Sequence, residues 1–209
     1  MGLTDMQVRD YKKVFYSLFK SFFQERGFFK KGRSLDFQRK VNDVIHRIYF
    51  GPGKDRNDGA ICDSVAFSIL IPEMEALTKD DPANVGMPIH LLKPGKEYGL
   101  WAFHSEAELK QAKPYIISEI QTYGFPFLNR YYNSQQVLVA LQSECPKHWF
   151  MNNLYSRNRI LVWLTFIRDG QNQALDLGKE LLKDMEGKDY IKDIRIKRFG
   201  KLLEQIQEL

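Results

Sequence analysis

Cysteine is scarce: the 209 residues hold two, Cys62 and Cys145, far apart in the chain. Two distant thiols do not make the disulfide framework of a small secreted domain, and they fit a reducing compartment. Long apolar runs are missing too. The longest, Ile160-Leu161-Val162-Trp163-Leu164-Thr165-Phe166-Ile167, is far too short to cross a bilayer. No basic stretch followed by an apolar one opens the sequence, so neither a signal peptide nor membrane association is expected, and the expected location is cytoplasmic. Nor is one sign of charge strongly in excess. There are 31 Lys and Arg against 26 Asp and Glu, a net of +5, which permits an acidic partner without demanding one.

Catalytic signatures are equally sparse. Gly51-Pro52-Gly53-Lys54 has the wrong glycine spacing for a phosphate loop, and Asp55 follows where Ser or Thr is needed. Cys145-Pro146-Lys147-His148 has the spacing of half a zinc site, but Cys62, His46, His90 and His104 supply no second pair. His104-Ser105 with Glu106 and Glu108 contains the residue types of a nucleophile and its base, yet Ser105 with Glu108 reads better as a helix cap. Glu73, Glu75, Asp80 and Asp81 lie between Pro72 and Pro82 and read as a solvated acidic loop. No cofactor and no metal is therefore expected, and the balance leans away from an enzyme.

What is present is a rich aromatic complement, 15 Phe and 10 Tyr, enough for a sizeable core. Residues 5–26 read as an amphipathic helix with Tyr11, Val14, Phe15, Leu18, Phe19, Phe22 and Phe23 at steps of three and four. Thr4 suits its N-cap and Gly27 its end; Arg9, Lys12, Lys13, Lys20 and Gln24 occupy the polar face. Strand alternation follows at Leu35, Phe37 and Val41, and Asn42-Asp43 suits a tight hairpin into Val44–Phe50. A polar loop spans 51–59. Further strands are expected at Val65–Ile71 and Glu97–Phe103. With no long crossovers between them, one antiparallel sheet is expected.

After Ser105 the period becomes helical. Pro114 predicts a break near Lys113. Asn133 with Gln136 opens another helix, which Pro146 ends, and residues 152–168 favour a buried helix over a strand. Two more helices follow, through Leu177 and Leu181 and through Phe199 and Leu203. The expected fold class is α+β: an antiparallel sheet packed by an N-terminal helix, then a C-terminal helical array. The expected division is a sheet domain over 1–128 and a helical part over 129–209. Trp101 and Trp163 read as core residues, Trp149 as part of an exposed aromatic cluster with His148 and Phe150.

The stretch Gly27-Phe28-Phe29-Lys30-Lys31-Gly32-Arg33-Ser34-Leu35-Asp36-Phe37-Gln38-Arg39, following a phenylalanine-bearing helix, resembles an uncharacterised bacterial family, domain of unknown function 4304. The strand Val65–Ile71 and the segment Tyr123-Gly124-Phe125-Pro126-Phe127 extend the resemblance over the N-terminal two-thirds. It implies a small α+β sheet domain with a helical C-terminal part, and it supplies no catalytic residues.

The unusual chemistry of the chain is basic. Lys30, Lys31, Arg33, Arg39 and Arg47 crowd the first hairpin together with Arg26 and Lys40, and Tyr49 and Trp101 are the aromatic residues expected nearby. Arginine forks beside aromatic platforms suit phosphate contact and base stacking. The same charges also suit a solvated strand edge that discourages aggregation. Three functions remain open. The first is a non-enzymatic interaction module gripping another protein, by analogy with an immunity protein that grips its toxin. The second is a nucleic-acid or phosphate binder using Lys30, Lys31, Arg33, Arg39, Arg47 and Trp101. The third is an enzyme whose dispersed site carries no motif.

Overall fold

The computed structural model describes residues 7–78, 85–94, 100–143, 154–188 and 191–209. The chain divides into two compact units, one drawn from Met1–Ile69 and Gly86–Tyr132, the other from Leu70–Val85 and Asn133–Leu209. Among the described residues no helix is long and apolar enough to cross a membrane.

The first unit opens with α1 (Val8–Gln24), whose Tyr11, Phe15, Phe19, Phe22 and Phe23 are buried. The residue preceding it is Gln7; Thr4 lies outside the described residues. Gly27, at φ 76°, takes the left-handed turn that releases the chain into β1 (Phe29–Lys30). Then come β2 (Leu35–Val41) and β3 (Val44–Phe50), joined through Asn42 at φ 50°. Asn tolerates that conformation better than most residues, so the two-residue turn forms where the sequence placed it. β1 pairs antiparallel with β2, and β2 with β3 in the register Leu35↔Phe50 to Val41↔Val44.

Three short strands follow: β4 (Gly53–Lys54), β5 (Ile61–Asp63) and β6 (Val65–Leu70). Beyond them lie β7 (Val85–Pro88), the short helix α3 (Ile89–Leu92) and β8 (Trp101–Phe103). The expected single sheet is in fact two. One has five strands in the order β1-β2-β3-β6-β7, the other three in the order β4-β5-β8. The polar 51–59 loop supplies β4, whose Gly53 pairs with Cys62, and β5 then takes β8 through Ile61↔Phe103. Hydrogen bonding by a segment that looks like pure loop is what diverts Trp101–Phe103 from the larger sheet.

α4 (Glu106–Glu119) starts on the expected cap, Ser105 Oγ accepting from the Glu108 N–H at 3.3 Å. The helix continues through Pro114 instead of breaking at Lys113. The irregularity comes later, as a π-helical turn at Ile120–Gly124 leading into α5 (Phe125–Arg130). Gly124 is there for a steric reason: a Cβ on it would lie 2.1 Å from Cε1 of Phe67, a fully buried ring.

The second unit contains α2 (Pro72–Leu77), α6 (Ser134–Gln142), α7 (Leu154–Asp169), α8 (Gln171–Glu186) and α9 (Asp193–Glu208). Pro72 ends the strand as expected but also opens α2, so Glu73 and Glu75 stand on a helix and not in a loop; Asp80 and Asp81 lie outside the described residues. Asn133 Oδ1 caps α6 by accepting from the Gln136 N–H at 2.9 Å. α7 buries Ile160, Leu161, Val162, Trp163 and Leu164 in succession because α2, α6, α8 and α9 all pack on it. The second unit takes up the chain at Leu70–Val85 and again from Asn133. Hydrogen bonds from the β2–β3 hairpin to the carbonyls of Tyr131 and Tyr132 keep that stretch with the sheet.

One buried polar pair joins α1 to the smaller sheet. The Tyr11 hydroxyl donates to Asp63 Oδ2 at 2.6 Å, and Asp63 is fully buried. Burial raises the Tyr11 pKa first, and the Asp63 charge and hydrogen bond add to the shift. Burial also pushes Asp63 up to about 7, against the opposing pull of Tyr11, the Ser64 and Gly51 backbone, and Lys12. The carboxyl is thus easier to protonate in the folded chain than in the unfolded one. Its contribution to stability is full below about pH 4 and is lost as pH rises through about 7.

Two outcomes are expected. Asp63→Asn, which keeps an acceptor for Tyr11, should gain on the parent between pH 5 and 8 by up to about 4 kcal/mol, read by urea unfolding at each pH. Gly124→Ala should cost about 1–3 kcal/mol, the cost of overpacking against the Phe67 ring; an unchanged unfolding midpoint would remove the steric account of the π-helical turn.

Candidate anion-binding groove

The first hairpin sorts its basic residues by face. Arg39 follows Leu35 and Phe37 in the alternation of β2 and turns toward the packed side. Its guanidinium lies 4.6 Å from the centre of the Phe28 ring. It donates to the Arg26 carbonyl at 3.3 Å, to His46 Nδ1 at 3.2 Å and to Asn129 Oδ1 at 2.5 Å. Burial lowers its pKa. His46 is buried, and burial likewise lowers its pKa. With Nδ1 accepting from Arg39, the proton of the neutral ring sits on Nε2, which donates to the Tyr131 carbonyl at 2.9 Å. Arg39 therefore knits β2 to α5.

Arg47 is on the opposite face. Its register partner is Gln38, and its Nε donates to Asp36 Oδ1 and Oδ2 at 3.1 and 3.0 Å while Nη2 lies 2.9 Å from Oδ2. The guanidinium also covers Tyr49 at 5.1 Å. Trp101 is committed elsewhere again: its Nε1 donates to Glu119 Oε2 at 3.0 Å, and the same carboxylate accepts from the Tyr115 hydroxyl and pairs with Lys93. Arg39, Arg47 and Trp101 thus do not gather into one site, because each has been drawn into a separate structural network. Lys31 is exposed, and its backbone N–H holds the Asp36 carbonyl at 2.7 Å.

The two remaining residues of the expected cluster do come together, with partners from α1. Lys30 and Arg33 line a groove of about 560 Å³ with Val8, Arg9, Lys12, Lys13 and Tyr16. Positions 9, 12, 13 and 16 follow one another at helical spacing, so a single flank of α1 carries three cations and a phenol. Lys30 pairs with Phe37 across the β1–β2 ladder and so faces α1. Its ammonium is 5.6 Å from the Tyr16 ring and donates to the Gly32 carbonyl at 2.5 Å. Gly32, at φ 65°, makes the turn that swings Arg33 back toward the helix.

Among the described residues, five cationic side chains and no carboxylate line this groove. The ion pair found at its rim among the described residues joins Lys13 to Asp10 at 3.3 Å, between groups 66% and 58% exposed, a pair worth little in water. Arg9, Lys12 and Arg33 form no ion pair among the described residues. Among the described residues the lining offers donors almost exclusively: the Tyr16 hydroxyl is its one side-chain acceptor, and no amide side chain is present to read a base edge. Such a surface answers to negative charge and to acceptor oxygens.

The cations of α1 escaped the sequence reading because they look like the ordinary polar face of an amphipathic helix. Their spacing relative to Tyr16 was the available signal. The other motifs resolve as structure. Lys54 lies on β4, and His104 Nε2 is 3.9 Å from Asp58 while its backbone N–H donates to Glu108. Among the described residues no group of three or more His, Cys, Asp or Glu could hold a metal ion. The half zinc site at Cys145–His148 and the aromatic cluster around Trp149 lie outside the described residues.

These features define the class: an α+β chain of two units whose sheet unit bears an open cationic groove. No family model matches the chain, and no curated protein or solved structure matches it.

Arg39→Ala should lower stability by roughly 2 kcal/mol or more, since it leaves Asn129, His46 and the Arg26 carbonyl without their donor. Thermal unfolding would register the loss, and an unchanged midpoint would show that the Arg39 network is not structural.

Proposed function

We propose that this protein is a non-enzymatic binding module that captures a phosphate-bearing polyanion in the groove between α1 and the β1–β2 turn. The observation that carries this reading is the lining itself: Arg9, Lys12, Lys13, Lys30 and Arg33 with no acid among them. Unfilled, these charges repel one another; an anion bearing several acceptor oxygens relieves that repulsion and satisfies the donors together. The guanidinium forks of Arg9 and Arg33 match phosphate geometry, and the lysines add point charge. This takes up the second of the expected functions, phosphate binding beside the first hairpin, in preference to the capture of another protein. Protein interfaces are depleted in Lys and enriched in aromatic side chains, the reverse of this lining.

Inorganic tripolyphosphate titrated calorimetrically at low salt should bind saturably, and the affinity should fall steeply as salt is added. Arg9→Gln/Arg33→Gln, at two exposed positions without ion pairs, should weaken it at least tenfold without moving the unfolding midpoint. No heat of binding at low salt, or a double variant that binds like the parent, would end the proposal.

A further inference from the structure

The second unit carries another unpaired basic surface. α9 presents Lys197, Arg198 and Lys201 as exposed residues, with Lys192 exposed just before it and Arg195 half-buried in its first turn. None of these five forms an ion pair among the described residues. Asp193 is the only acid between Ile191 and Leu203, and the carboxylates Glu204 and Glu208 stand in the last two turns. This order runs against the helix dipole, which favours acids at the N-terminal end and cations at the C-terminal end. The cations are therefore not placed to complement the helix that carries them.

The opposite face of α9 is already spoken for. Phe199, Leu202, Leu203 and Ile206 are buried within the helical unit, and Gln171 Nε2 donates to the carbonyl of Ile206 at 2.9 Å. The helix therefore has no apolar face to lay into a bilayer. The outward face has Ile194 as its single exposed large apolar residue, 56% exposed, too little for the buried core of a protein interface. A stripe of Lys and Arg along a helix, without apolar anchors, fits a phosphate backbone.

We infer that the exposed face of α9 is a second polyanion-binding surface, and that its ligand is a nucleic-acid strand. The inference does not rest on the groove reading, and it adds the class of polymer. Contact is by charge, so binding is insensitive to base sequence, and a longer strand presents more phosphates to the helix.

The test uses the full chain and fluorescein-labelled single strands, one of about six nucleotides and one several times longer. Lys197→Gln/Arg198→Gln/Lys201→Gln changes only exposed side chains. It should weaken the long strand at least tenfold and make its salt dependence shallower by about two in log–log slope. The exchange Lys197→Arg/Arg198→Lys/Lys201→Arg, which keeps every charge, should bind like the parent. A triple glutamine variant with the parent's affinity and slope on the long strand would overturn the inference. So would poly-glutamate competing as well as the strand, which would assign the face to an acidic protein. The groove variant Arg9→Gln/Arg33→Gln, run on the same strands, separates the two ideas. Its failure to weaken either strand sinks the groove reading, while the α9 result stands or falls by itself.

Discussion

The packing of α1 against the β2–β3 hairpin is the contact on which the sheet unit depends. Phe15 meets Phe50 at 4.5 Å between ring centres, and Phe23 meets Phe37 at 4.1 Å. Phe15, Phe19 and Phe23 are fully buried, and each such side chain contributes roughly 1.5–3 kcal/mol. Once this stripe is seated, the rotation of α1 about its own axis is set. Its flank at Arg9, Lys12, Lys13 and Tyr16 must then face the β1–β2 turn. The groove is thus a by-product of core packing: an apolar stripe on one side of a helix decides where the cations on the next flank point.

The same packing sorts the positive charges of the unit into two kinds. Arg39 and Arg47 are consumed by the fold. One bridges β2 to Asn129 and His46; the other closes on Asp36 beside Tyr49. The charge of Arg47 is neutralised by Asp36, and the donors of Arg39 are taken up by neutral acceptors. Arg9, Lys12 and Arg33 have no such duty, and Lys30 is merely steadied by the Gly32 carbonyl. Free charge held at fixed positions is what makes a surface available for a ligand. A count of basic residues near the hairpin does not distinguish the two kinds, although only one kind can bind.

Much of the architecture was legible in the amino-acid order. The phenylalanine period of α1, the Asn42-Asp43 turn, the Ser105 and Asn133 caps and the helical tail each follow from local rules that tertiary structure did not override. The failures were of one type. β4 formed inside a stretch rich in Gly, Pro and Asp because β5 offered it a ladder. Trp101–Phe103 joined that ladder rather than the main sheet. α4 runs through Pro114, and Gly124 at the end of the later π-helical turn answers to the Phe67 ring, 57 residues earlier in the chain.

By itself the sequence determined the fold class and the faces of its elements, because hydrophobic period acts within a few residues of chain. It also determined that the chain carries more cations than its local acids can pair. Only the tertiary structure decided which cations those are. Arg39 finds its acceptor on Asn129, ninety residues away, and Lys30 and Arg33 meet α1 across a turn and a packed core. Which donor meets which acceptor is set by distance in space, which no local pattern encodes, and so the groove appeared only when the chain was folded.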